Sequence, residues 1–341
     1  MIETVLGPLD PAELGPTSMH EHLLFDARAL GLEPPQEHVQ ADAALVAAEL
    51  ADAHAAGLGA VVDLTVWGFG GPSPHLPRIA RESGVQIVAG VGAYLGRTWP
   101  SWLRPLDADA LAERFAAALV DRLPGCDHRA GIVGLVGEGI PPAPEEERAV
   151  RAAGAAAAAT GAAVALRLDP RADAAPRLLE LLAREGVAPE RVLLSNVDGY
   201  ARDHDAVRAL AATGATLKWC FGYEAPPRAG LTAASDAQRL DAICMLLERE
   251  PAARQALACG TWTRGALRRN GGRGFVHLPA RVVPALRERG VGEGELHELL
   301  VAAPRRLLDV ERPAPAERAA PAERAAPAAA CAPLPTPQEA P

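Results

Sequence analysis

Lysine is almost missing from this chain. Of its 34 cationic residues, only Lys218 is a lysine and the rest are arginines. Heavy use of alanine, arginine and proline suggests a GC-rich, bacterial coding background. A lone lysine then has two readings. It survives by chance, or its position needs a primary amine, which can release a proton or attack a carbonyl where arginine cannot. No run of 18 apolar residues occurs, and no basic segment followed by an apolar one opens the chain, so neither a membrane span nor a signal peptide is expected. The five cysteines, at 126, 220, 244, 259 and 331, are scattered with no CxxC pair, which argues for free thiols in a reducing cytoplasm rather than a disulfide frame. The net charge of -9 argues against nucleic acid and anionic membranes as partners. A small-molecule substrate is the expected partner, and a homodimer is compatible with the composition.

What is present is a large apolar supply, 49% of 341 residues. Short apolar runs at 17–24, 60–66, 86–93, 131–137, 163–168, 191–197, 215–221 and 256–262 read as strands. Amphipathic patterns at 41–56, 108–122, 145–160, 174–185, 205–213, 236–249 and 279–289 read as helices between them. Repeated strand-then-helix units point to an α/β fold of the (β/α)8 TIM-barrel type over residues 1–310. A doubly wound sheet is the alternative, and no GxGxxG supports it. From residue 311 to 341 the chain becomes an Ala/Pro/Glu/Arg repeat without a core-forming face, so a disordered low-complexity tail is expected.

The sharpest local signal is Thr17-Ser18-Met19-His20-Glu21-His22. On a strand, residues i and i+2 share a face, so His20 and His22 stand side by side as half of a metal site. Val5-Leu6-Gly7-Pro8 and Leu14-Gly15-Pro16 precede this phrase, and Val62-Asp63-Leu64-Thr65, Ile87-Val88-Ala89-Gly90-Val91-Gly92-Ala93-Tyr94, Ala130-Gly131-Ile132-Val133 and Arg191-Val192-Leu193-Leu194 follow it. In this order the segments resemble the phosphotriesterase-related family of metal-dependent amidohydrolases, over roughly residues 1–310.

The resemblance implies a TIM barrel with its site at the carboxyl ends of the strands. It also implies two divalent metals, whose bridging hydroxide attacks an ester, lactone or amide. The ligand positions it implies are mostly changed here. The strand-one pair is kept as His20 and His22. The strand-four position falls at Gly134 or Leu135, the strand-five histidine at Arg167, the strand-six histidine at Asn196 and the strand-eight aspartate at Thr261. Two histidines alone hold zinc weakly, and a permanent guanidinium repels a divalent ion. No tightly bound cofactor is therefore expected. At most one zinc-type ion would sit on His20 and His22, with Glu138 a possible third ligand in a shifted register. The plainer reading makes both histidines inherited residues held by hydrogen bonds.

By strand parity, Arg167 shares a face with Ala163 and Ala165, and Lys218 with Cys220. If these faces line the barrel, two fixed cations stand where metals would, suited to an anionic or polarised oxygen. The bland alternative is a Lys218 ion pair with Glu138 or an aspartate. Cys220 and Cys259 read as small buried residues. Tyr94, Trp67, Trp99, Trp102, Thr261 and Asp198 fall near strand ends and loops, where a pocket would form. Three functions follow. The first is metal-independent acid–base or electrostatic catalysis by Lys218, Arg167 and Asn196, of lyase, cyclase, isomerase or transfer type, on a small anionic or carbonyl-bearing metabolite. The second is a mononuclear zinc hydrolase, and the third a non-catalytic binding protein on a dead barrel.

Overall fold

The computed structural model describes residues 1–222 and 234–310. The tail from 311 onward, expected to be disordered, lies outside the described residues. Eight strands form one sheet: β1 Thr17–Glu21, β2 Ala60–Asp63, β3 Gln86–Val91, β4 Ile132–Gly137, β5 Val164–Arg167, β6 Val192–Ser195, β7 Thr216–Cys220 and β8 Gln255–Ala258. Each neighbouring pair is parallel, in chain order. Parallel strands covered on both faces read as continuous apolar runs rather than alternating ones, which is the pattern seen at 86–93 and 191–197.

Helices cross between the strands: α1 Ala43–Ala55, α2 Leu76–Ser83, α3 Ala108–Val120, α4 Pro144–Thr160, α5 Ala175–Arg184, α6 His204–Ala212 and α7 Asp236–Arg249. Side chains of Asp42, Asp107, Asp203 and Ser235 accept the first free N–H groups of α1, α3, α6 and α7, which is why those helices start there. The sequence pattern did not anticipate α2, which is only eight residues long and too short to establish a period. No described helix is long and apolar enough to cross a membrane.

Two apolar layers follow from strand parity. Val61, Ile87, Val133, Leu166, Leu194, Leu217 and Leu257 pack outward under the helices. Ala60, Val62, Val88, Ala163, Ala165, Leu193 and Ala256 fill the lumen, whose floor is closed by Ile2, Leu14, Leu307 and Leu308. Strand β4 bulges between Val133 and Val136. Gly134 makes the bulge possible: it sits at φ +132°, and a Cβ there would lie 2.5 Å from the Ala165 carbonyl oxygen.

The sheet closes between β1 and the end of β8. Gly260 N–H donates to the His20 carbonyl at 2.9 Å, and His22 N–H to the Thr261 carbonyl at 3.2 Å. Glu21 clamps this seam. Its carboxylate accepts from Ser18 Oγ at 2.5 Å, Cys259 N–H at 2.9 Å and Thr261 N–H at 3.0 Å. Burial raises the carboxyl pKa above the usual range, against the pull of those hydrogen bonds. Removing it would orphan two buried N–H groups. Glu21→Ala is therefore expected to cost about 3 kcal/mol in urea unfolding. Glu21→Gln, which retains one acceptor but points an NH2 group at a donor, should fall between it and the parent. A loss below 1 kcal/mol for Glu21→Ala would show that the seam closes without it.

Candidate functional site

Register places the site. Arg167 on β5 is paired with Ser195 on β6, Leu194 on β6 with Leu217 on β7, and Lys218 on β7 with Ala256 on β8. Continuing the β6–β7 register by one residue sets Ser195 beside Lys218. Laterally paired residues of parallel strands share a face. Ala165, Leu193 and Ala256 show that this face is the lumen. Arg167, Ser195 and Lys218 thus form a row on three adjacent strands.

Lys218 and Ser195 are both wholly buried. Lys218 Nζ donates to Cys220 Sγ at 2.9 Å. Among the described residues no carboxylate oxygen lies within 4.0 Å of Lys218 Nζ, so the ion pair with Glu138 or an aspartate is not what holds it. Ser195 Oγ is buried without a hydrogen-bond partner. Sequence reasoning missed Ser195, because a serine inside an apolar run carries no motif. It also read Cys220 as a filler residue, whereas its sulfur contacts the lysine. Burial pushes that thiol up to about 11, against the charge of Lys218.

The histidines sit in the same lumen. His20 Nε2 and His22 Nε2 are 3.0 Å apart. His22 Nδ1 lies 3.3 Å from Thr65 Oγ1, which donates to Asp63 Oδ1 at 2.6 Å. This chain assigns the protons: Thr65 donates to Asp63, His22 Nδ1–H to Thr65, and His20 Nε2–H to His22. The remaining lone pair, on His20 Nδ1, is buried without a partner. Burial, then the charge of Lys218, holds His20 well below its usual pKa and His22 down to about 3. Both rings are therefore neutral near pH 7. Burial pushes Asp63 up to about 7, against its hydrogen bonds.

An aromatic cover lies over the histidines. Phe69 stands 4.4 Å from the His22 ring and 5.2 Å from Tyr94, and Phe25 and Trp262 join that cluster. The glycines around Phe69 were the available signal for it. A Cβ on Gly70, at φ +112°, would come 2.7 Å from Asp26 N. Only glycine lets the turn approach that closely and set Phe69 over the barrel mouth.

The remaining candidates are distributed around the rim. Arg167 donates to the Glu138 carbonyl at 2.6 Å, lies 3.6 Å from Asp169 and sits 5.9 Å above the Tyr94 ring. Asp169, which sequence reasoning did not single out, is gripped by Arg171 at 2.7 Å. Glu138 pairs with Arg177. Asn196 departs from strand parity: it takes a left-handed φ of +68°, and its amide donates to the Leu168 carbonyl at 3.1 Å. Val192 and Leu194, four and two residues before it, pack outward, and Ser195 occupies the lumen. Thr261 commits its backbone to the seam. Asp198 lies 4.0 Å from buried Arg239, which pairs with Asp236 at 2.6 Å. Trp67 does not line the mouth: it is buried under the helices, 5.3 Å from Trp102 and 5.8 Å from Phe115 of α3. Large flat rings there fill the gap between strand and helix.

The phosphotriesterase family model matches residues 1–308. The chain belongs to the phosphotriesterase family. It is 27% identical to a phosphotriesterase-related protein of Nematostella vectensis, over 90% of this chain and 98% of that protein. It is 25% identical to an N-acetyltaurine hydrolase of Salmo salar, over 90% and 97%. A resiniferatoxin-binding protein of Rhodobacter sphaeroides is 30% identical and superposes with a TM-score of 0.86, over 90% of this chain and 94% of that one.

The binuclear metal set implied by this phosphotriesterase-family fold does not fit the residues present. Leu135 belongs to the apolar lumen. Asn196 faces Leu168, Glu138 is engaged by Arg177, and a lysine charge stands beside both imidazoles. Among the described residues, no group of three His, Cys, Asp or Glu side chains is arranged to hold an ion.

The rim network carries a pH signature. Burial alone would raise Asp236, but the His277 and Gly222 hydrogen bonds and the Arg239 charge hold it down to about 2. A depressed carboxyl stabilises the fold above its unfolded pKa, and that contribution is lost as pH falls through the folded value. The advantage of the parent over Asp236→Asn should be about 2 kcal/mol at pH 5 and shrink between pH 4 and 2. Urea unfolding across that range measures it, and a constant difference would refute the assignment.

Proposed function

We propose that this family member works without the binuclear metal centre and that Lys218 carries its chemistry. The observation behind this reading is the single lysine of the chain, wholly buried on the lumen face with no acidic partner among the described residues. The reaction is acid–base or electrostatic catalysis on a small anionic or carbonyl-bearing metabolite, of the lyase, cyclase, isomerase or transfer type. A positive amine in a water-poor lumen stabilises charge developing on a substrate oxygen. The neutral His20 ring, with a bare Nδ1, is a proton acceptor in the same lumen. Phe69 and Tyr94 limit water at the mouth, and Arg167 with Asp169 shapes the rim. Asn196 contributes by fixing the turn after β6.

A second reading is a mononuclear zinc-type hydrolase of an ester, lactone or amide. The 3.0 Å convergence of His20 Nε2 and His22 Nε2 favours it, as does likeness to N-acetyltaurine hydrolases. Elemental analysis and chelation separate the two. Protein purified without chelator should hold less than one zinc, manganese or iron ion per chain. In a turnover screen of small carbonyl acids, esters, lactones and amides, activity should survive EDTA. Lys218→Arg should lower kcat by about 10³-fold while changing KM less, because it keeps the charge but not the exchangeable proton. Loss of activity with EDTA and its return with zinc would establish the hydrolase. Unchanged kcat in Lys218→Arg would remove the amine from the chemistry.

A further inference from the structure

The lumen row lacks a counter-charge. A wholly buried lysine normally has a carboxylate beside it, because an uncompensated charge in a low-dielectric interior is costly. Lys218 has only a thiol at 2.9 Å. The neighbouring hydroxyl, Ser195 Oγ, is buried and unbonded, which is uncommon in a folded protein. Both groups are hydrogen-bond donors, both face the lumen, and they sit side by side on adjacent strands. Arg167, next in the row, is already committed to the Glu138 carbonyl and to Asp169. One unmatched positive charge and one unmatched hydroxyl therefore remain.

We propose that Lys218 and Ser195 together form a recognition site for a single carboxylate of the substrate, with Ser195 as a specificity-determining residue. This rests on the reading of Lys218 as the centre of the site and narrows its substrate class to small monocarboxylates. One carboxylate oxygen accepts from Lys218 Nζ and the other from Ser195 Oγ–H. The ligand supplies the missing negative charge, and the pair distinguishes an acid from its neutral ester or amide. A doubly charged phosphate would leave one charge unmatched in the same space.

Thermal unfolding tests this without knowledge of the reaction. The probe is sodium acetate against sodium chloride at equal ionic strength, with inorganic phosphate as a second arm. Acetate at saturation should raise the parent Tm by about 5 °C relative to chloride. Lys218→Met should abolish that rise and, by removing an unmatched charge, raise the Tm of the ligand-free protein. Ser195→Ala should leave the ligand-free Tm within about 1 °C and weaken acetate binding about tenfold. An acetate-dependent rise of equal size in Lys218→Met overturns the proposal. So does a Lys218→Met chain that unfolds more easily than the parent or does not fold, since the charge would then be balanced within the protein. Stabilisation by phosphate alone overturns the monocarboxylate assignment. Acetate binding that depends on both residues, in a protein that turns over nothing, would leave the recognition site standing and sink the catalytic reading.

Discussion

The seam between the first and eighth strands governs everything at the barrel mouth. A parallel sheet with two open edges would leave β1 and β8 with unpaired backbone groups. Here Glu21 supplies what the short β8 cannot, by drawing Cys259 and Thr261 N–H groups onto one carboxylate. Because Glu21 turns into the seam, its neighbours His20 and His22 turn into the lumen. The same alternation that closes the barrel thus decides which side chains meet inside it. Carboxylate and imidazoles are consecutive in the sequence, yet they serve closure and site separately.

Inside that closed lumen, electrostatics have been rearranged rather than erased. A metal centre is a concentrated positive charge held by neutral and negative ligands. This lumen contains a lysine charge, two imidazoles kept neutral by burial and by that charge, and an apolar side chain, Leu135, where the family resemblance expects a ligand. Three acidic groups of the rim are taken by arginines: Glu138 by Arg177, Asp169 by Arg171, Asp236 by Arg239 and Arg273. These carboxylates are paired at the rim, and among the described residues the hydrogen-bond partner of Lys218 Nζ is the Cys220 thiol at 2.9 Å.

Much of this was legible in the sequence, and the reason is period. Each strand run at 60–66, 86–93, 163–168 and 215–221 contains the observed strand, with excess of one to three residues at the end. Apolar residues continue into the loops there, so composition alone cannot mark the last ladder hydrogen bond. The helices were legible through their amphipathic spacing, except α2. The site was only partly legible. His20 and His22 form a motif, and Lys218 was conspicuous by rarity. Ser195 was invisible because it needs the register between β5, β6 and β7, which is a relation among distant segments. Strand parity does not orient Asn196, because parity assumes an extended backbone and its left-handed φ breaks that assumption. Trp67 shows that an aromatic after a strand can turn to the core side as readily as to the mouth.

The choice of residues in the row follows from geometry as well as charge. An arginine at position 218 would bring a planar guanidinium with five donors into a lumen lined by alanines at 163, 165 and 256. A lysine brings a compact head on a flexible stem, and its stem is compatible with the apolar wall. At position 195 serine is a small side chain that adds one hydroxyl donor without a partner in the structure. Position 167 tolerates arginine because it stands at the strand end, where the guanidinium can leave the lumen for the Glu138 carbonyl and the face of Tyr94. The row is thus graded from a rim cation that is already satisfied to an interior cation that is not. Under the proposed carboxylate assignment, an anionic ligand entering from the mouth would meet the satisfied cation first and be held at the unsatisfied one.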